Sequence, residues 1–173
     1  MARMPADAIR LRLASTQDAQ QLSCMSRDLI EVGLVWTYDA ARIERLIADA
    51  DTVTLVAVDA QGPAGFAVMR FGDERAHLVL LAVQPRRQRQ GVARRLLSWL
   101  LESARTAGIA ELSLELRAGN AAARAFYRAS GFGDAGLLPD YYHNGEAALR
   151  MRRVLRRSDA TSAGWQAPTL RRR

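Results

Sequence analysis

The sequence predicts an α/β domain built on a mixed, mostly antiparallel sheet. Two observations lead there. Three apolar segments, residues 52–58, 64–71 and 76–83, are separated only by the polar turns Asp59-Ala60-Gln61-Gly62 and Gly72-Asp73-Glu74. Strands joined so tightly run antiparallel. The last of them is followed by an amphipathic stretch and then an alternating segment, 111–117. A strand–helix–strand unit of that kind sets its two strands parallel and its crossover right-handed.

The remaining elements follow in order. Ile9-Arg10-Leu11-Arg12-Leu13 alternates apolar and charged residues, so it reads as the first strand. Ser15-Thr16-Gln17-Asp18 resembles a capping box that opens a helix. Leu22, Met25, Leu29 and Ile30 share one face of that helix, and Gly33 is its stop. Thr37 is the expected cap of a second helix carrying Ala41, Ile43, Leu46 and Ile47. Trp36, just before that cap, is placed as a hydrophobic staple or, alternatively, as a wall of an acceptor pocket.

The long helix over 90–107 buries Val92, Leu96, Leu97, Leu100, Leu101 and Ala104, and Gly108 ends it. Asn120 caps an alanine-rich helix over 121–129, which stops at Ser130-Gly131. Segments 132–137 and 147–155 form a last pair of strands around the loop 138–146. The expected total is about seven strands and about four helices.

Residues 1–155 are the predicted domain, and residues 156–173 a basic, disordered tail. The net charge is +7, and all 25 basic residues are arginine. Residues 150–173 hold eight arginines and one acid, Asp159; elsewhere 17 arginines face 17 acids. The body is therefore neutral, and no specific nucleic-acid partner is expected. The tail either touches ribosome, nucleic acid or anionic lipid, or serves as a solubilising end. No apolar run approaches the ~20 residues that span a bilayer, and residues 1–7 lack the apolar core of a secretory signal. A single cysteine, Cys24, cannot form an internal disulfide. A cytoplasmic location and no membrane partner are the expectations.

The chemistry centres on Gln88-Arg89-Gln90-Gly91-Val92-Ala93, between the fourth strand and the long helix. A helix start offers unpaired N–H groups and the positive end of the helix dipole, which suits a phosphate. Small Gly91 and Ala93 let backbone approach it, and Arg86, Arg87, Arg89, Arg94 and Arg95 add positive potential. The bland alternative is an ordinary strand-to-helix turn that needs Gly91 for its shape. The stretch is neither a Walker loop nor the Gly-x-Gly-x-x-Gly fingerprint.

This stretch resembles motif A of the GCN5-related N-acetyltransferases, Gln/Arg-x-x-Gly-x-Gly/Ala. Arg117-Ala118-Gly119-Asn120-Ala121-Ala122-Ala123-Arg124-Ala125-Phe126-Tyr127, with Ser130-Gly131-Phe132, is similar to the same family's motif B. Leu114-Glu115-Leu116-Arg117, Tyr141-Tyr142 and Gly145-Glu146 further resemble the RimI-type enzymes, which acetylate the N-terminal alanine of a ribosomal protein. The resemblance covers about residues 9–155. It implies acetyl-CoA as donor, a primary amine (a peptide N-terminus or a small amine) as acceptor, no metal, and a fold in which strands four and five splay apart. It further implies that Leu81 and Val83 meet the pantetheine arm through main-chain groups. Gln88, Arg89, Gln90, Gly91, Val92, Ala93 and Arg94 then surround the pyrophosphate, and Asn120 and Tyr127 complete the donor site.

Two residues are the catalytic candidates. Asn120 and Tyr127 lie seven residues apart on a helix, nearly two turns, and share a face. Expulsion of a thiolate needs a proton donor or charge stabiliser, the role the family gives to a tyrosine at this position; the alternative is a core tyrosine with a satisfied hydroxyl. Glu115 sits mid-strand, where a carboxylate is costly without a role or partner. It is the candidate base, directly or through water, or else an ion-pair partner of Arg117 or another arginine. His143 is a rival base, and His77 carries no special claim. Ala147 and Leu80 depart from the RimI-type pattern, which commonly has an acid at the first and Glu or Asn near the second. The acceptor is left open between a protein N-terminus and a small molecule. A non-catalytic acyl-CoA-binding, ribosome-associated regulator is the reading from outside enzymology.

Overall fold

The computed structural model describes residues 8–156. Of the predicted tail, 156–173, all but Arg156 lies outside the described residues. Seven strands form one sheet in the order β1-β2-β3-β4-β5-β7-β6. They are β1 Arg10–Leu13, β2 Thr52–Asp59, β3 Gly62–Phe71, β4 Arg75–Val83, β5 Glu111–Arg117, β6 Gly133–Leu138 and β7 Ala148–Val154. Four helices accompany them: α1 Ala19–Leu29, α2 Ala40–Ala48, α3 Val92–Thr106 and α4 Ala121–Ala129. Every pairing is antiparallel except β4 with β5, as the crossover through α3 requires. None of the helices is long and apolar enough to cross a membrane among the described residues.

The two faces of the sheet carry separate cores. Leu96, Leu97 and Leu100 of α3 pack with Leu78, Leu112, Leu114 and Tyr127 on one face. Leu22 and Met25 of α1 and Ile43 and Leu46 of α2 pack with Phe66, Val68 and Leu80 on the other. Gly65 lets α3 lie close on the sheet. A Cβ there would come within 2.9 Å of the Ala82 carbonyl and 3.2 Å of Val92 Cγ1, so any larger residue must push the helix away.

The second helix starts later than its sequence pattern indicates. Its cap is Asp39, whose Oδ1 accepts from the Arg42 N–H at 2.8 Å; Thr37 donates its hydroxyl to Val35 O instead. The staple position passes to Tyr38, which packs on the cluster holding Ile43. Trp36 stays 40% exposed and donates its indole N–H to Tyr38 O. At the chain's start, the Asp18 carboxylate accepts from the Ser15 N–H at 2.7 Å and from Arg12 at 2.7 Å. The first turn is a short 3-10 segment, Thr16–Asp18, which runs into α1.

The feature that positions the site is a parting of β4 from β5. They pair only from Arg75↔Glu111 to Leu78↔Leu114. At the same level β4 bulges: Leu78 pairs with Met69 and Leu80 with Val68, so Val79 has no partner on β3. A bulge adds a bend and extra twist. Leu78 and Leu80 consequently face opposite cores, and beyond Leu78 the two strands diverge.

Candidate active site

The gap between the diverging strands opens into a cavity of about 360 Å³. Its walls come from both faces of the sheet. The connection between α1 and α2 supplies Glu31, Val35 and Tyr38; the loop between β6 and β7 supplies Tyr141, Tyr142 and His143. His77 and Leu81 come from β4, Glu115 and Arg117 from β5, and Asn120 and Tyr127 from α4. Trp36 is not among the lining residues.

On the donor side, the helix start is open. α2 and α4 have side-chain caps, Asp39 and Asn120. α3 begins at Gly91 with φ +79°, and no side chain of the described residues caps it. The first intrahelical bond is Arg95 N–H to Gly91 O at 3.0 Å, which leaves the N–H groups of Val92, Ala93 and Arg94 without helical partners. A Cβ built on Gly91 meets nothing within 4 Å, so glycine is there for its backbone and for the open space above it. Arg89 is also left-handed, with φ +61°.

The loop before α3 is braced from below. Asp59, at the β2–β3 hairpin, binds Arg86 and, at 2.7 Å, Arg87 Nε. Those contacts hold its carboxyl well below the usual range, Arg86 contributing most. Arg86 and Arg87 therefore brace the loop, while Arg89 and Arg94 flank the helix start. Gln90 donates its amide to Arg86 O at 2.9 Å. Gln88 donates its amide to Val83 O at 3.0 Å.

That last bond also shows which way β4 faces. The Gln84 N–H reaches Ala64 O on the β3 side at 2.8 Å. Peptide groups alternate along a strand, so those of Leu81 and Val83 point to the other side, where β5 has departed. The Val83 carbonyl is taken by Gln88; the Leu81 groups and the Val83 N–H face the gap.

Tyr127 and Glu115 approach from opposite faces of the sheet. Tyr127 is 7% exposed and belongs to the α3-side core. Its ring makes edge contacts with Phe126 and Phe132 at 5.1 and 5.6 Å between centroids. Burial pushes its phenol above the ordinary value, so it stays protonated. No hydrogen bond engages its hydroxyl among the described residues, and the residue lines the cavity. Asn120 uses Oδ1 to cap Ala123 N–H at 3.0 Å and lines the same cavity.

Glu115 has partners that its sequence does not announce. Arg117 is not one of them. Arg150 Nε binds Glu115 Oε1 at 2.7 Å, and His77 Nε2 lies 3.0 Å from Oε2. Arg150 is directly across from Glu115 in the β5–β7 register. The His77 contact first, and Arg150 next, hold the Glu115 carboxyl below the usual range against the opposing effect of burial. His77 Nδ1 lies 3.0 Å from Ser113 Oγ, its partner across the parallel pair.

Arg117 instead ties the two acceptor-side loops together. It donates to Val32 O in the α1–α2 connection. Its Nε lies 3.6 Å from Glu146 Oε2, and its guanidinium stands 6.0 Å from the Tyr142 ring. Glu31, 7% exposed, accepts from the Thr37 N–H at 2.6 Å and the Ser26 hydroxyl at 2.9 Å, folding that connection over the cavity. Sequence reasoning missed His77, Arg150 and Glu31. The spacing of Glu115 and Arg150 on paired strands is the only signal that could have found one of them.

Comparison with known proteins agrees with this geometry. Residues 21–132 match the model of the acetyltransferase (GNAT) family. The [ribosomal protein bS18]-alanine N-acetyltransferase of Escherichia coli K12 is 43% identical over 79 residues, 46% of this chain and 53% of that protein. The chain thus spans about half the length of the curated relatives it matches. Among solved structures, the ribosomal-protein-S18-alanine N-acetyltransferase of Escherichia coli superposes with TM-score 0.77 at 25% identity, over 89% of this chain and 98% of that one. Ard1 from Thermoplasma volcanium gives TM-score 0.76 at 27% identity, over 85% and 97%. By the match of the family model over most of its described length, joined to this sheet and this gap, the chain belongs to the GNAT acetyltransferase family.

Proposed function

We propose that the protein is an N-acetyltransferase that moves an acetyl group from acetyl-CoA to a primary amine by direct attack, and that the amine is a protein N-terminus. One observation carries the reading. A protonated tyrosine from one face of the sheet and a carboxylate from the other line a single cavity, and the helix start that follows β4 is capped by no described side chain.

The donor residues fit the cofactor. The N–H groups of Val92, Ala93 and Arg94, with Arg89 alongside, suit a pyrophosphate. Gly91 leaves room for it. Gln88 and Gln90 keep the loop in shape through Val83 O and Arg86 O. Leu81 and Val83 offer strand-like main-chain partners for the pantetheine arm, and Asn120 and Tyr127 sit at the far wall. When bound, acetyl-CoA supplies a thioester carbonyl to attack and a thiolate to expel.

The chain's own residues then handle two protons. Glu115, ionised at neutral pH, takes the proton of the acceptor ammonium, directly or through water. Tyr127 gives its proton to the departing sulfur. A carboxylate held below its usual range is a weak base, which favours an acceptor whose ammonium is easily deprotonated. An α-amine, with an ordinary value near ~8, suits it far better than a lysine side chain near ~10.4. The relatives named for alanine N-termini support the same choice. A cytoplasmic site of action, on a ribosomal or other newly made protein, goes with that acceptor.

The test is an acceptor screen with CoA release as the readout. It includes alanine-starting peptides, other N-termini, lysine-containing peptides with blocked N-termini, and small polyamines. Release with free N-termini supports the proposal. Release only with small amines overturns the acceptor, and binding of acetyl-CoA without release to any amine overturns the enzyme.

A further inference from the structure

Glu115 contacts two groups that the reaction outlined above leaves idle, Arg150 and His77, and of the two only His77 is itself held by a third residue. Its two ring nitrogens are both engaged, Nε2 with Glu115 Oε2 at 3.0 Å and Nδ1 with Ser113 Oγ at 3.0 Å. It lines the cavity, and its side chain is 39% exposed while that of Glu115 is 10% exposed. An imidazole between a carboxylate and a hydroxyl has one favourable neutral arrangement. Ser113 donates its O–H to Nδ1, and Nε2–H donates to Glu115. Arg150 holds the other carboxylate oxygen at 2.7 Å. Each oxygen of Glu115 thus has one fixed donor, and the remaining lone pairs are left for the cavity.

We propose that His77 is a positioning residue for Glu115: as the Nε2–H tautomer fixed by Ser113 it aims the carboxylate into the cavity. This inference rests on the acetyltransferase reading for its kinetic consequence, though not for its geometry. The other titratable groups lining the cavity are Glu31 and Tyr38 from the α1–α2 connection, Arg117 from β5, Tyr127 from α4, and Tyr141, Tyr142 and His143 from the β6–β7 loop. None of these makes a hydrogen bond to His77 among the described residues. Arg75 and Glu111 form the register pair two positions from His77 and Ser113.

Glutamine tests the positioning, because its amide nitrogen can stand in for Nε2–H. His77→Ala is expected to lower kcat by about tenfold to a hundredfold, the loss of one hydrogen bond to a charged group, with acetyl-CoA affinity unchanged. His77→Gln is expected to restore most of kcat. If His77→Ala keeps the wild-type kcat, the inference fails. A readout independent of turnover is the nitrogen-15 spectrum of the two histidines, with His143→Gln to assign them. The inference predicts His77 as the Nε2–H tautomer at neutral pH, with that bias lost in Glu115→Ala. A His77 tautomer unaffected by Glu115→Ala overturns it. A wild type that releases no CoA to any amine, with the tautomer as stated, overturns the acetyltransferase reading and leaves the pairing standing.

Discussion

The donor side and the acceptor side of the gap are built in opposite ways. Apart from Asn120 and Tyr127 of α4 at its far wall, the donor side is one continuous stretch, from Leu81 through the braced loop to Arg94, and its parts are mainly backbone groups at a strand edge and a helix start. The acceptor side is assembled from the α1–α2 connection, β4, β5, β7 and the β6–β7 loop, and its parts are side chains held by one another. Glu115 is fixed by residues 38 positions before it and 35 after it. Arg117 joins Val32 to Glu146. A local device can be kept by a short motif, while a distributed one can be altered loop by loop. The contrast suits an enzyme whose donor is constant and whose acceptor is what varies.

Substitutions on the two sides should therefore separate in kinetics. The largest effect is expected at Glu115. Glu115→Ala removes the base and strands Arg150 and His77, and kcat should fall about a thousandfold, with acetyl-CoA binding intact by calorimetry. Next is Gly91→Val, where a β-branched residue is forced to φ +79° at the open helix start. The KM for acetyl-CoA should rise at least about tenfold, the scale of a lost anion contact, while the KM for peptide stays put. The converse substitution is Arg117→Ala. It should raise peptide KM by about fivefold to tenfold through the loosened loops, and leave the donor KM unchanged. If either variant moves both constants together, the two sides are one unit and the contrast is wrong.

The smallest effect is one of stability, away from the gap. Arg12, and then the Ser15 N–H, hold the Asp18 carboxyl down to about 2 in the fold. A carboxyl lowered by folding contributes stability above its unfolded value near ~3.9, and the contribution disappears as pH falls through the folded value. Asp18→Asn should cost about 1–2 kcal/mol at neutral pH by denaturant titration. The difference from wild type should shrink between pH ~4 and ~2 and be gone below that.

The same contrast decides what could be read from the chain. Strands, helices, the parallel β4–β5 pair and the motif residues from Gln88 to Tyr127 were legible, because alternation, caps and turn glycines are local signals. The family resemblance supplied the splay, and the structure gives its cause: the unpaired Val79 of β4, a bulge that no residue type marks. The start of α2 went astray because Thr37 and Asp39 are both good caps. The choice was made by Glu31, which uses the Thr37 N–H to fold the connection. His77 read as an ordinary strand residue because its meaning lies in Ser113 and Glu115, across a non-local parallel pair. Arg86 and Arg87 read as adding positive potential beside the helix start because their charge is visible in sequence, whereas Asp59 comes from a distant hairpin.

The central claim is that chemistry happens where the two sides meet, with Tyr127 as the proton donor. The most direct measurement is Tyr127→Phe, assayed for acetyl-CoA affinity and for turnover on the best peptide acceptor. The hydroxyl binds no described residue and the ring packing is kept, so the fold and the donor affinity should be unchanged. The account predicts that kcat falls about a hundredfold or more. Turnover at the wild-type rate by a variant that binds acetyl-CoA normally would contradict it.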